Sequence, residues 1–202
     1  MPRHRQGGIR RPPTEDVQPC ATQQKTVILM SVLPILPGGV ELALQANILA
    51  SIRKPVAQVF EALVNPAITS NFWFSKSSGP LEVGKQVRWD WEMYGHHTTV
   101  DVKAIDDNKR ILIEWNGPEN PSLVEWTFES RDKDRTFVTV KNWGFKGETN
   151  KVVSEAIDST GGFSFLLAAL KAYLEHGIEL NLVLDHAPDL LVQGWALRHA
   201  AA

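Results

Sequence analysis

His96-His97 is a pair whose chemistry invites a metal-binding or acid–base reading. Adjacent residues on a strand point to opposite faces, so the two rings cannot share one ion. They follow Tyr94-Gly95, a turn, and the position predicts an exposed hairpin end with at most one ring turned inward. His176 follows Glu175 and predicts a solvated last helical turn, where a histidine suits the helix dipole. His186 is out of phase with His176, and no carboxylate completes a metal set. Lys141 has two readings. If its strand follows the phase of Phe137, Thr139 and Lys141 face inward, and a buried lysine could act as a base or imine former. In the other phase its head reaches solvent. Cys20 is the sole cysteine, which excludes an internal disulfide framework and a multi-cysteine zinc site. It falls in the N-terminal segment, so no catalytic thiol is expected. No G-x-S-x-G, H-E-x-x-H, phosphate loop or dinucleotide fingerprint occurs. No catalytic signature, no metal and no cofactor are expected.

The aromatic residues are the richer signal, because the chain carries seven Trp and eight Phe. Trp89, Trp91, Trp115 and Trp126 fall on apolar faces of predicted strands. Trp73-Phe74 ends a predicted short helix, near the expected mouth of a cavity. Phe163 and Leu167 lie on the apolar stripe of a predicted long helix. Aromatic stripes commonly fill a core, at about 150–250 Å² buried per ring. The same eight residues could instead line a pocket, with indole N–H groups as the few polar anchors such pockets use. Both readings stay open on sequence. Gly161-Gly162 tilts the balance toward a pocket. Each glycine in a helix interior costs roughly 1 kcal/mol relative to alanine, and close packing or a bend over open space could offset that.

These residues need a frame, and hydrophobic periodicity predicts one. Gln45–Arg53 reads as a strand. Lys54-Pro55 opens a helix carrying Val56, Phe60, Leu63 and Val64. Asn65-Pro66 ends it, and residues 67–72 form a second short helical piece. Five strands follow. Gln86–Met93 alternates Val87, Trp89, Trp91 and Met93 with polar residues. Thr98–Ile105 turns Val100, Val102 and Ala104 inward, and Arg110–Trp115 turns Ile111, Ile113 and Trp115 inward. Leu123–Ser130 does the same with Val124, Trp126 and Phe128. Thr136–Phe145 is ambiguous, because Val138 and Val140 oppose Phe137 and Trp143 in phase. A helix from about Thr149 to Glu175 follows, with a stripe of Val153, Ile157, Phe163, Leu167, Leu170 and Leu174. At 1.5 Å per residue it spans roughly 40 Å, longer than any of the strands. Antiparallel strands with helices on one face make an α+β architecture, and a curved meander gripping one helix often encloses a cavity.

Composition limits the remaining classes. The 202 residues are 43% hydrophobic and 22% charged, ordinary globular values. Residues 1–25 are basic and proline-bearing without apolar periodicity, which predicts a disordered extension over residues 1–40. Val27–Leu36 behind an arginine-rich flank has the outline of a signal peptide. Glu15, Asp16, Pro34 and Pro37 count against that, and Met30 offers an alternative start. The chain beyond residue 25 is net acidic, which argues against nucleic-acid binding. No run of eighteen apolar residues occurs, so no membrane span is expected, and the reading places the chain in the cytoplasm. The folded domain is expected over residues 41–185. Residues 186–202 form a tail in which Pro188-Asp189 could start a short helix. The apolar run Ile178, Leu180, Leu182–Leu184 suggests that this end packs on the domain, covers a pocket mouth or makes a homodimer contact.

One ordered series of short motifs resembles a known family. It comprises Ile52-Arg53-Lys54-Pro55-Val56 with Val59-Phe60-Glu61-Ala62-Leu63, then Leu81-x-Val83-Gly84 before Trp89-x-Trp91. Ile111-x-Ile113-Glu114-Trp115, Thr139-Val140 and Trp143-Gly144-Phe145 follow. Gly161-Gly162-Phe163 and Leu170-Lys171-x-Tyr173-Leu174-Glu175-His176-Gly177 complete it. The series resembles the START-like, or SRPBCC, superfamily, in the group of the heat shock protein 90 ATPase activator. The resemblance covers roughly residues 44–185. It implies a helix-grip fold, a curved antiparallel sheet gripping the long C-terminal helix. It also implies a small hydrophobic or aromatic ligand held between sheet and helix. Two alternatives accompany it: a cyclase or aromatase using the same cavity, and a chaperone-interacting module. The activator itself carries a further large domain ahead of this one, where this chain has about 40 residues without a core. That counts against a chaperone partner.

Overall fold

The computed structural model describes residues 44–115, 120–193 and 195. Strand β1 (Gln45–Ile52) leads into α1 (Val56–Val64) and α2 (Pro66–Thr69). A short β2 (Lys76–Ser77) and β3 (Gln86–Trp91) are followed by a 3₁₀ turn, Glu92–Tyr94. Strands β4 (His96–Asp106), β5 (Arg110–Trp115), β6 (Ser122–Asp132) and β7 (Arg135–Trp143) complete the sheet. Helix α3 (Thr149–His176), a short α4 (Leu182–Asp185) and a 3₁₀ turn at Pro188–Leu190 close the described chain. The sheet is antiparallel throughout, in the order β1-β7-β6-β5-β4-β3-β2. This is the α+β helix-grip architecture expected from the sequence. The expected extension over residues 1–40, with Cys20 and Met30, lies outside the described residues.

Local chemistry sets the boundaries. Pro55 caps α1 from outside, where a missing N–H costs nothing. Asn65 ends α1 and caps α2, its Oδ1 accepting the Ala67 N–H at 3.1 Å. β3 stops at Trp91, two residues earlier than the alternation predicts, because Gly95 enters the left-handed region (φ 60°) and tightens the chain into a 3₁₀ turn. Met93 stays buried from within that turn. A bulge between Val102 and Ala104 breaks the two-residue period of β4, leaving Ala104 half-buried. In β7 the ambiguity resolves toward Thr136, Val138, Val140 and Asn142, which are buried. Lys141 therefore lies on the outer face, and the inward reading of that lysine is corrected. Phe137 is also on the outer face, with the Arg131 guanidinium 5.0 Å above its ring.

The core lies between the sheet, α1 and α3. The first half of α3 departs from the predicted stripe. Val152 is buried, Val153 is half-buried and Ile157 is 65% exposed. Ile157 precedes Phe163 by six residues, about 120° around a helix, so it cannot share Phe163's face. Val152, Glu155 and Ser159 occupy that face instead. Neither glycine of Gly161-Gly162 is enforced by close backbone packing. A Cβ on Gly161 meets nothing within 4 Å, and one on Gly162 meets Trp73 Cη2 at 3.8 Å, an ordinary contact. Gly161→Ala is therefore expected to stabilise the fold by about 1 kcal/mol, raising the thermal midpoint by roughly 2–4 °C. A lowered midpoint in a thermal melt would show that the helix needs glycine there for another reason.

Candidate functional site

The tryptophans meet, but most of them interlock. Trp73 stacks on Phe163 at 6.0 Å and meets Trp91 edge-on at 5.7 Å. Phe74 stacks on Trp89 at 5.1 Å, and Trp89 meets Trp115 at 5.6 Å. Trp91 meets Trp115 at 6.0 Å, and Trp126 meets Phe163 at 5.7 Å. These are the offset and edge-to-face geometries aromatic pairs prefer. At the centre they leave a space of only about 10 Å³, bounded by Trp73, Trp89, Trp126, Thr69 and four aliphatic side chains. That holds about one water-sized atom. Trp89, Trp91, Trp126 and Leu167 are therefore core in this structure.

Open space lies instead toward one end, under the first half of α3. A cleft of about 270 Å³ has apolar walls of Trp73, Trp115, Phe145 and Phe163, with Gly162 beside them. Its polar lining is Asn142, Glu155, Asp158 and Ser159. Asn142, buried on β7, donates from Nδ2 to Ser122 Oγ at 3.0 Å and to the Leu123 carbonyl at 2.9 Å. Ser159 Oγ donates to Asn142 Oδ1 at 2.7 Å. This chain of bonds fixes α3 over the end of the sheet and holds the amide in one orientation. Glu155 Oε1 accepts from Asn120 Nδ2 at 2.8 Å, with Lys151 Nζ at 3.7 Å. Its Oε2 is buried without a hydrogen bond among the described residues, as are the indole N–H groups of Trp73 and Trp126. Such groups cost free energy when left unmet.

A second groove, of about 200 Å³, lies on the other side of Trp73 and Phe74. Its far wall is the chain after α3, including Asn181–Leu184 and Trp195. Tyr94 anchors this segment. Its Oη lies 2.5 and 3.0 Å from the Val183 and Leu184 carbonyls and accepts the Ala187 N–H at 3.3 Å. The Val192 N–H donates to the Met93 carbonyl at 2.8 Å. The tail through Val192 thus lies on the domain beside this groove.

Of the eight aromatic and apolar candidates, Trp73, Trp115 and Phe163 come together at the cleft, and Trp73 and Phe74 at the groove. The histidines do not assemble. His96 and His97 are exposed, with the His96 ring 5.9 Å from Trp91. His176 and His186 are exposed too, and His186 lies 5.1 Å from Phe165. No group of three potential metal ligands forms among the described residues. Sequence reasoning missed Asn142, Glu155 and Ser159. One signal was available: Asn142 is a polar residue in the apolar phase of Val138 and Val140.

Residues 53–175 match the family described as Activator of Hsp90 ATPase homolog 1-like protein. The chain belongs to that family. Solved structures agree on the fold. A protein from Staphylococcus saprophyticus, SSP2350, is 28% identical with a TM-score of 0.57, covering 68% of this chain and 96% of its own. DynU16, described as a protein of the dynemicin biosynthetic locus, is 24% identical with a TM-score of 0.59, over 67% of this chain and 48% of its own. The Aha1 dimer of Colwellia psychrerythraea is 20% identical with a TM-score of 0.57, over 66% of this chain and 98% of its own. Comparison with proteins of curated function gives no match. Among the described residues of this family member, no helix is long and apolar enough to cross a membrane.

Proposed function

We propose that the chain binds a small hydrophobic or aromatic ligand in the cleft under the first half of α3. One observation carries this reading. The cleft, about 270 Å³, sets four aromatic walls against a hydrogen-bonded polar floor. An apolar body with a few convergent polar groups is the usual composition of a small-molecule site. Family membership supports a fold suited to such a site. Of the residues expected from the sequence to line a ligand site, Trp73, Trp115 and Phe163 border this cleft. A second reading, a cyclase-type enzyme in the same cleft, draws on Glu155. Among the described residues its carboxyl group has one oxygen without a hydrogen bond, and it stands beside aromatic walls, as a proton acceptor for an aromatic substrate must.

Titration of tryptophan emission against a panel of apolar and aromatic compounds tests the proposal, since Trp73 and Trp115 form the walls. We expect a saturable change with at least one aromatic class. Gly162→Leu projects its side chain from the cleft wall and is expected to weaken that binding at least tenfold while the fold persists. An unresponsive wild-type protein, or equal affinity in a folded Gly162→Leu variant, overturns the proposal. Turnover of a bound compound, lost in Glu155→Gln with binding retained, is the outcome that separates the cyclase reading.

A further inference from the structure

The cleft under the first half of α3 is one-sided in charge and in hydrogen bonding. Its lining holds two acidic residues, Glu155 and Asp158, and no basic one among the described residues. The two lie three apart on α3, as neighbours on one helix face. Asp158 is exposed and makes neither a hydrogen bond nor an ion pair among the described residues. Lys151 Nζ stands 3.7 Å from Glu155 Oε1, but its side chain is exposed and lies outside the lining. Glu155 Oε2 has no hydrogen-bond partner among the described residues. The neutral polar residues of the floor add no donor. A side-chain amide has two N–H hydrogens and a hydroxyl one. Asn142 spends both of its own on Ser122 Oγ and the Leu123 carbonyl, and Ser159 spends its one on Asn142 Oδ1. The floor therefore has acceptor capacity left and no donor: the Ser159 lone pairs and the carboxylate oxygens. The other walls, Trp73, Trp115, Phe145 and Phe163, are uncharged. A cleft with charge of one sign and low-dielectric walls focuses the field of that charge and concentrates its counter-ion.

We propose that the ligand of this cleft is an organic amine bound as its ammonium ion, with a hydrophobic or aromatic body against the four rings and the cationic N–H group toward Asp158 and Glu155. The proposal rests on the cleft reading above and adds the sign of the ligand's charge to it. An ammonium brings only donors and a positive charge, which complements a floor that has only acceptors and negative charges to offer. A carboxylate on the same body would meet two like charges and no free donor on the floor. A neutral alcohol would gain a hydrogen bond without the attraction between charges. The aromatic walls alone do not make this choice, since they receive the body of all three compounds equally.

The test keeps the body constant and changes the charge. Equilibrium dialysis of the full chain at neutral pH and low salt compares 1-naphthylmethylamine, 1-naphthalenemethanol and 1-naphthoate. The amine should bind about fivefold more tightly than the alcohol, the fold-change that one ion pair about 4 Å apart gives even at the dielectric of water. The carboxylate should bind most weakly. Added salt should shrink the amine's lead, because charges at an open cleft are screened. Asp158→Asn should shrink it as well, and Asp158→Lys should reverse the order of amine and carboxylate. Asp158 is exposed, so both variants should melt like the wild type. Equal affinities for amine and alcohol in the wild type, or a lead that neither salt nor Asp158→Asn reduces, overturn this proposal and leave the cleft reading standing. If none of the three binds while a neutral member of the aromatic panel does, the assignment of charge falls alone. If the panel is silent too, the cleft reading falls with it.

Discussion

Phe163→Ala is expected to lower the unfolding free energy by roughly 4 kcal/mol, the middle of the range for truncating a buried aromatic. The reason is its position. Phe163 is 4% exposed and contacts three indoles: it stacks on Trp73, and meets Trp115 and Trp126 edge-on at 6.0 and 5.7 Å. Removing the ring forfeits its transfer free energy and three aromatic contacts. The hole it leaves cannot easily close, because the indoles around it are rigid and held by each other. A loss of that size corresponds to a fall in thermal midpoint on the order of 10 °C. Phe163→Leu keeps part of the volume and should cost less than half as much. Denaturant unfolding of the two variants checks both the size and the order. A loss below about 1 kcal/mol for Phe163→Ala would mean that the aromatic cluster is looser than its geometry indicates, since well-packed Phe→Ala losses run to several kcal/mol.

The same residue shows how far sequence could lead. Phe163, Leu167 and Leu170 were legible as a stripe because i, i+4, i+7 spacing is local information. So were Trp89, Trp91, Trp115 and Trp126, each in a strand with clean alternation. What these residues enclose was not legible. Whether facing aromatics fill a space or line it depends on the distance between sheet and helix, which no local pattern encodes. The stripe also failed where the helix stops facing an apolar sheet. Ser159 and Glu155 lie on Phe163's face while Ile157 faces solvent, an inversion that answers the buried Asn142 across the gap. Asn142 itself was hidden by the outer face of β7, where Phe137 under Arg131 and the half-buried Trp143 supply apolar residues in the competing phase. The cleft draws on β5, β7 and the first half of α3, with Ser122 and Asn120 behind it. Residues so scattered in sequence form no motif.

Glu175 is the second position where one substitution should have a large effect, and its size depends on pH. An acidic residue in the last turn of a helix opposes the helix dipole, and this side chain is only 4% exposed. Burial alone would push its carboxyl up. The Lys171 ammonium, the backbone N–H of Arg53 at 2.6 Å and the Arg53 guanidinium at 3.1 Å more than reverse that, holding it down to about 2. Lys171 also donates to the Ser51 carbonyl at 2.8 Å, so the cluster ties the end of α3 to the end of β1. A carboxyl whose folded value lies below its unfolded one contributes stability above the unfolded value, and loses it as pH falls toward the folded one. Glu175→Gln should therefore cost roughly 3 kcal/mol at pH 7, a typical loss on breaking a buried ion pair. The gap between wild type and variant should stay constant down to about pH 5, then narrow steadily toward pH 2. Arg53→Ala should cost less, because that guanidinium is 70% exposed and the backbone N–H remains. Urea unfolding of the three proteins at pH 7 and pH 3 measures these differences. A wild-type-to-Gln gap that is the same at both pH values would show that the Glu175 charge does not hold the helix to the sheet.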